Sequence, residues 1–154
     1  MHIVNEKVQI VARARGLRLP EELEEEIGRE MKLRGATFSE VATQLLREAV
    51  RMRRVPGIHF LDGLDSRRAA ITGTGLEVWE VVATYKSLGE DRAALRESYQ
   101  WLDDRQLSAA LFYYELYPEE IDARLSLEEW WTPEIVWSEL PFTRPGRPAP
   151  DGGT

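Results

Sequence analysis

Apolar residues recur at helical spacing through most of this chain. In the first third, Leu23, Ile27 and Met31 lie four apart, and Val41, Leu45 and Ala49 repeat the spacing, which predicts two amphipathic helices. Pro20 opens the first, because proline lacks an N–H and suits the first helical turn. Glu21, Glu22, Glu24, Glu25 and Glu26 place negative charge at its positive end, and Gly35 stops it. The second opens on Thr37 and Glu40, a T-x-x-E capping box. It ends among Arg47, Arg51, Arg53 and Arg54. Upstream, Arg13 to Leu19 alternates, with Leu17 and Leu19 on one side and Ala14, Gly16 and Arg18 on the other. That predicts a short strand ending at Pro20.

A strand and two helices cannot bury enough apolar area alone, and a single strand exposes both its edges. Both problems vanish if two chains pair their strands antiparallel and interlock their helices, so the pattern predicts a homodimer.

After Arg53-Arg54-Val55-Pro56-Gly57 the helical spacing breaks. Residues 58–70 read as irregular, and Ile71-Thr72-Gly73-Thr74-Gly75 as a tight turn. It is no phosphate loop, because the G-x-x-x-x-G-K spacing and its lysine are missing. Helices are expected over Glu77–Leu88, over Asp91–Tyr99 with Asp91 as cap, from the Asp103/Gln106 capping box towards Pro118, and over Pro118–Leu127. Trp130, Trp131, Trp137 and Phe142 follow among prolines. The last fourteen residues hold four prolines and three glycines, which predicts an extended tail.

Charge divides the chain unevenly. Its net value is −7. Residues 1–55 hold 11 Lys/Arg against 9 Asp/Glu, a balance of +2, whereas residues 56–154 hold 9 against 18, a balance of −9. The first part tolerates phosphate and the second repels it, so the second suits a protein partner. The absence of cysteine excludes disulfides and thiolate zinc sites and fits a reducing cytoplasm. No apolar run reaches membrane-span length.

Catalytic chemistry is not expected, and no cofactor or metal is implied. The histidines, His2 and His59, stand at a terminus and in a linker. His59 with Asp62 makes at most a weak ligand pair. Glu119-Glu120 and Glu128-Glu129 are adjacent, so each pair diverges on a helix.

The stretch from Leu17 to Arg54 resembles the ribbon-helix-helix family of bacterial DNA-binding proteins. The residues that carry the resemblance are Arg18-Leu19-Pro20-Glu21-Glu22-Leu23, Gly35, and Thr37-Phe38-Ser39-Glu40-Val41. It implies a dimer whose two-stranded ribbon enters the DNA major groove and whose second helix holds a phosphate at its N-terminus. The implied DNA-binding residues are Arg13, Arg15, Gly16, Arg18, Thr37, Phe38 and Ser39. Arg18 shares a face with Ala14 and Gly16 and is the candidate for a bidentate pair with guanine. Arg13 and Arg15 share the leucine face and reach the groove only if Gly16 forms a bulge.

Residues 56–125 resemble the helix-turn-helix domain of VapB-type antitoxin-like proteins found beside PIN-domain ribonuclease toxins. The carrying residues are Ile71-Thr72-Gly73-Thr74 leading into Val78, then Leu88-Gly89, Tyr99, Leu102, and the Leu107, Ala110, Leu111, Tyr113, Tyr114 helix. Gly75 stands where that family usually has arginine. Asp103 and Asp104 at the start of the second helix oppose base reading.

The expectation is a mainly α chain. It comprises a dimeric ribbon-helix-helix module over 1–55 with one strand per chain, a helix-turn-helix-like domain over 56–129, and an aromatic, proline-rich segment over 130–154. The implied function is that of an antitoxin-like, autoregulatory transcription regulator of a toxin-antitoxin system. It binds operator DNA and neutralises a PIN-domain ribonuclease through its C-terminal part. Trp137, Phe142, Arg144 and Arg147 are the expected partner-binding residues. Trp130 and Trp131, directly after a helix, suit its core better than Trp137 does. The competing reading is a dimeric adaptor that binds another protein and reads no DNA.

Overall fold

The computed structural model describes residues 12–63 and 65–143. The chain is mainly helical, with a two-stranded antiparallel sheet. It divides into two compact units, residues 1–45 and 46–154.

In the N-terminal unit, α1 (Glu21–Arg34) follows an extended Pro20. Its last turn closes on Gly35 at φ 60°, a left-handed conformation that glycine adopts without strain, and the N–H groups of Gly35 and Ala36 both donate to Met31 O. The helix α2 (Phe38–Arg54) begins as the sequence predicts. The Thr37 N–H and hydroxyl donate to Glu40 Oε2 at 2.8 and 2.9 Å, and the Glu40 N–H donates to Thr37 Oγ1 at 3.3 Å. Ile27 and Val41 are buried.

The expected strand from Arg13 to Leu19 does not form in the single chain; residues 12–20 carry neither strand nor helix. A strand needs a ladder partner to take up its N–H and C=O groups. Among the described residues none pairs with this run.

The C-terminal unit corrects a second expectation. Residues 58–70, read as irregular, contain a hairpin. Strand β1 (Ile58–Asp62) pairs with β2 (Arg67–Ile71), and Gly63 N–H donates to Ser66 O at 2.8 Å in the connection. Ile58 and Phe60 point inward opposite Ile71 and Ala69. The charges that obscured the alternation satisfy one another, since Arg67 lies opposite Asp62 and donates to it at 3.0 Å. Residues 72–75 form the expected tight turn, with Gly73 and Gly75 at positive φ and Thr74 Oγ1 donating to Ile71 O.

Four helices close on this hairpin: α3 (Val78–Ser87), α4 (Arg92–Ser98), α5 (Asp104–Leu116) and α6 (Pro118–Trp130). Their starts follow local signals. Asp91 accepts from Ala93 and Ala94 N–H, and Asp103 and Gln106 complete the D-x-x-Q box. Val78, Val81, Val82, Leu95, Leu102, Leu107, Ala110 and Tyr113 are removed from solvent and form one continuous core with Ile58 and Ile71. A further helix, α7 (Pro133–Glu139), is capped by Thr132 and followed by a 3-10 turn at Pro141–Thr143. No helix is expected there from the sequence, although Thr132-Pro133-Glu134 is a helix-start signal. The rest of the expected extended tail, residues 144–154, lies outside the described residues.

Candidate nucleic-acid interface

The expected DNA-binding residues belong to the N-terminal unit, and all are exposed. Arg13, Arg15, Gly16 and Arg18 lie on the irregular run before α1, and Thr37, Phe38 and Ser39 open α2. A helix start leaves its first N–H groups without intrahelical acceptors. Here the capping box occupies the Thr37 and Glu40 amides. Those of Phe38 and Ser39 meet no acceptor among the described residues. The Thr37 N–H and hydroxyl hold the Glu40 carboxylate below the usual glutamate range, so at neutral pH it is ionised beside these amides. An incoming anion therefore finds two free amides and one fixed negative charge.

The same unit leaves large apolar side chains in water. Leu33 is 81% exposed and Leu17 75%, and Leu23, Phe38 and Leu45 are also exposed. A monomeric unit this small loses stability by leaving such surface uncovered.

The structure distributes the C-terminal aromatic residues differently from expectation. Trp137, expected to be free, is half-buried on α7. Trp130 and Trp131, for which core packing was the more plausible alternative, are 54% and 42% exposed and meet edge to face with ring centroids 4.8 Å apart. Phe142 is 83% exposed. Arg144 and Arg147 lie outside the described residues.

Two polar clusters escaped the sequence reading. Glu48, which falls on the apolar stripe of α2, is buried and accepts two hydrogen bonds from Arg67 at 2.9 and 3.0 Å. A glutamate on an apolar stripe was the available signal, but its partner is 19 residues away. The second cluster joins Arg51, Tyr113 and Glu120. Arg51 donates to the Tyr113 hydroxyl at 2.8 Å and pairs with Glu120, while Tyr113 donates to Glu120 Oε1 at 2.8 Å. The guanidinium also lies 4.3 Å from the Tyr117 ring centroid. Burial, aided by the Glu120 charge, raises the Tyr113 phenol well above its ordinary value, so it acts as a neutral hydrogen-bonding group. These residues are 62 and 69 positions from Arg51, too far apart for a local pattern to connect.

The described residues contain no group of three or more potential metal ligands among His, Cys, Asp and Glu. His59 and Asp62 stand three apart on β1, hence on opposite faces. At the start of α5, Asp103 serves as cap and Asp104 pairs with Arg96 at 3.1 Å. No described helix is long and apolar enough to cross a membrane.

No family model matches the chain, and no curated protein does. Among solved structures it is similar to a DUF433 member protein from Anabaena variabilis. The identity is 30%, the match covers 70% of this chain and 99% of that one, and the TM-score is 0.39, below the value at which two folds count as the same.

Proposed function

We propose that the chain is an antitoxin-like regulator that binds operator DNA as a dimer and neutralises a PIN-domain ribonuclease through its C-terminal part. The observation that carries this reading is the unfinished N-terminal unit. It combines the Arg18-to-Leu23 and Thr37-to-Val41 motifs with exposed Leu17, Leu23, Leu33 and Phe38 and with a run, residues 13–19, that has no ladder partner among the described residues. A second copy supplies both the partner strand and the apolar cover. In the paired ribbon, Arg18 faces the groove and offers its guanidinium fork to guanine O6 and N7. The Phe38 and Ser39 amides take a backbone phosphate, which fixes register without reading sequence.

The test is an anisotropy titration of DNA from the protein's own promoter against unrelated DNA, repeated at rising salt. Preferential binding that weakens with salt is expected. Arg18→Ala should cost about 1–3 kcal/mol of specific binding, the usual worth of a bidentate base contact. If Arg18→Ala is silent while Arg13→Ala or Arg15→Ala abolishes binding, Gly16 bulges and the ribbon register shifts. If promoter and unrelated DNA bind alike at every salt concentration, the operator reading fails. The adaptor reading then stands, favoured by the −9 balance of residues 56–154.

A further inference from the structure

At the end of α6 the fold leaves Trp130 and Trp131 open to solvent with their rings edge to face, and Phe142 is exposed farther along the chain. An exposed patch of large rings marks a contact site more often than an accident of packing. Its surroundings select the partner. From Leu127 to Thr143 the chain contains four glutamates and no lysine or arginine. Glu128 is paired with Arg124, but Glu129, Glu134 and Glu139 are exposed and form no ion pair among the described residues. Helix electrostatics accounts only for Glu134, which sits in the first turn of α7. Glu129 and Glu139 occupy the last turns of α6 and α7, where the helix dipole disfavours negative charge.

Exposed aromatic rings flanked by carboxylates complement a surface of cations flanked by slots for flat rings. Protein grooves that hold single-stranded nucleic acid have that character, with basic side chains along the backbone path and positions where bases stack. Arginine also binds the face of tryptophan directly. The same carboxylates repel nucleic acid and anionic membrane surfaces.

We propose that residues 127–142 dock into the basic, nucleic-acid-binding groove of a partner protein. The carboxylates of Glu129, Glu134 and Glu139 stand where phosphates lie, and Trp130 and Trp131 stand where bases stack. This names the chemistry of the partner in the reading above and rests on that reading only in taking the partner to be a protein.

The probe is a fluorescent peptide alternating arginine and glycine, titrated with the full-length protein and followed by anisotropy. Saturable binding that weakens as salt rises is expected. Trp130→Ala with Trp131→Ala should weaken it about tenfold or more, as loss of an aromatic anchor does. Glu129→Gln, Glu134→Gln and Glu139→Gln together should produce a comparable loss. A glutamate–glycine peptide and vesicles of anionic phospholipid should stay unbound. Circular dichroism checks that the variants, all at exposed positions, keep their helices. Titration of promoter DNA runs in parallel and should not change in any variant. Failure of that titration in the unaltered protein counts against operator binding alone. Failure of the arginine peptide to bind overturns the docking proposal alone, as does binding that ignores both sets of substitutions or a preference for the vesicles.

Discussion

The two units of this chain differ in how far a single copy completes them. Residues 46–154 close a core in which Val78, Val81, Val82, Leu95, Ala110 and Tyr113 have no solvent exposure. Residues 1–45 bury Ile27 and Val41 but leave Leu17, Leu23, Leu33 and Phe38 open. Helix signals are strong in both, with caps and glycine or proline stops in the expected places. Helix starts and stops are therefore locally encoded in both units, and burial separates them. Local sequence makes α1 and α2, while their apolar faces need something else to cover them.

The sharpest way to break this contrast is to damage each unit separately. Leu95→Ala opens a cavity in a closed core and should cost about 2–5 kcal/mol, measured by denaturant unfolding. Its cost should not depend on protein concentration. Leu17→Ala with Leu23→Ala should instead move the midpoint in a concentration-dependent way, because it acts on association. Equal, concentration-independent losses from both would erase the difference between the units.

A smaller effect is expected at the Glu48–Arg67 pair. Arg67→Ala strips a buried carboxylate of two hydrogen bonds and should cost about 1–3 kcal/mol. Glu48→Gln with Arg67→Ala should recover part of that loss, because a neutral amide costs less to keep buried without the guanidinium than a carboxylate does. A double-mutant cycle measures the coupling.

The smallest effect is expected at the start of α2. Thr37→Ala removes the cap and should cost about 1 kcal/mol, read from thermal unfolding. The cap is also pH-dependent. The folded state depresses the Glu40 pKa, so its contribution is complete above the ordinary glutamate value and disappears as pH falls through the depressed one. Acid should therefore fray α2 from its N-terminus. In Thr37→Ala that part of the pH dependence should shrink.

The sequence was legible wherever one side chain acts on its own neighbourhood. Gly35, Thr37 with Glu40, Asp91, and Asp103 with Gln106 mark helix ends through bonds spanning a few residues, Pro20 and Pro118 do so through a fixed φ and a missing N–H, and the structure keeps each mark. The hairpin was obscured because β2 opens with Arg67 and Arg68, whose partners Asp62, Asp65 and Glu77 are known only once the strands pair. Helix α7 carried a Thr-Pro-Glu start, but the surrounding prolines and tryptophans read more strongly as an irregular segment. The sequence left open whether Trp130 and Trp131 pack in the core, because adjacency to a helix does not say which face the helix presents. The Arg51–Tyr113–Glu120 cluster joins residues from three helices and has no local signature.

The central claim is that the N-terminal unit is half of a two-chain structure. Sedimentation equilibrium of the full-length protein at micromolar concentration tests it most directly. The account predicts twice the chain mass of 17.7 kDa, falling towards that mass when Leu17 and Leu23 are replaced by alanine. A single-chain mass for the unaltered protein, across the whole concentration range and with intact helical content, would contradict it.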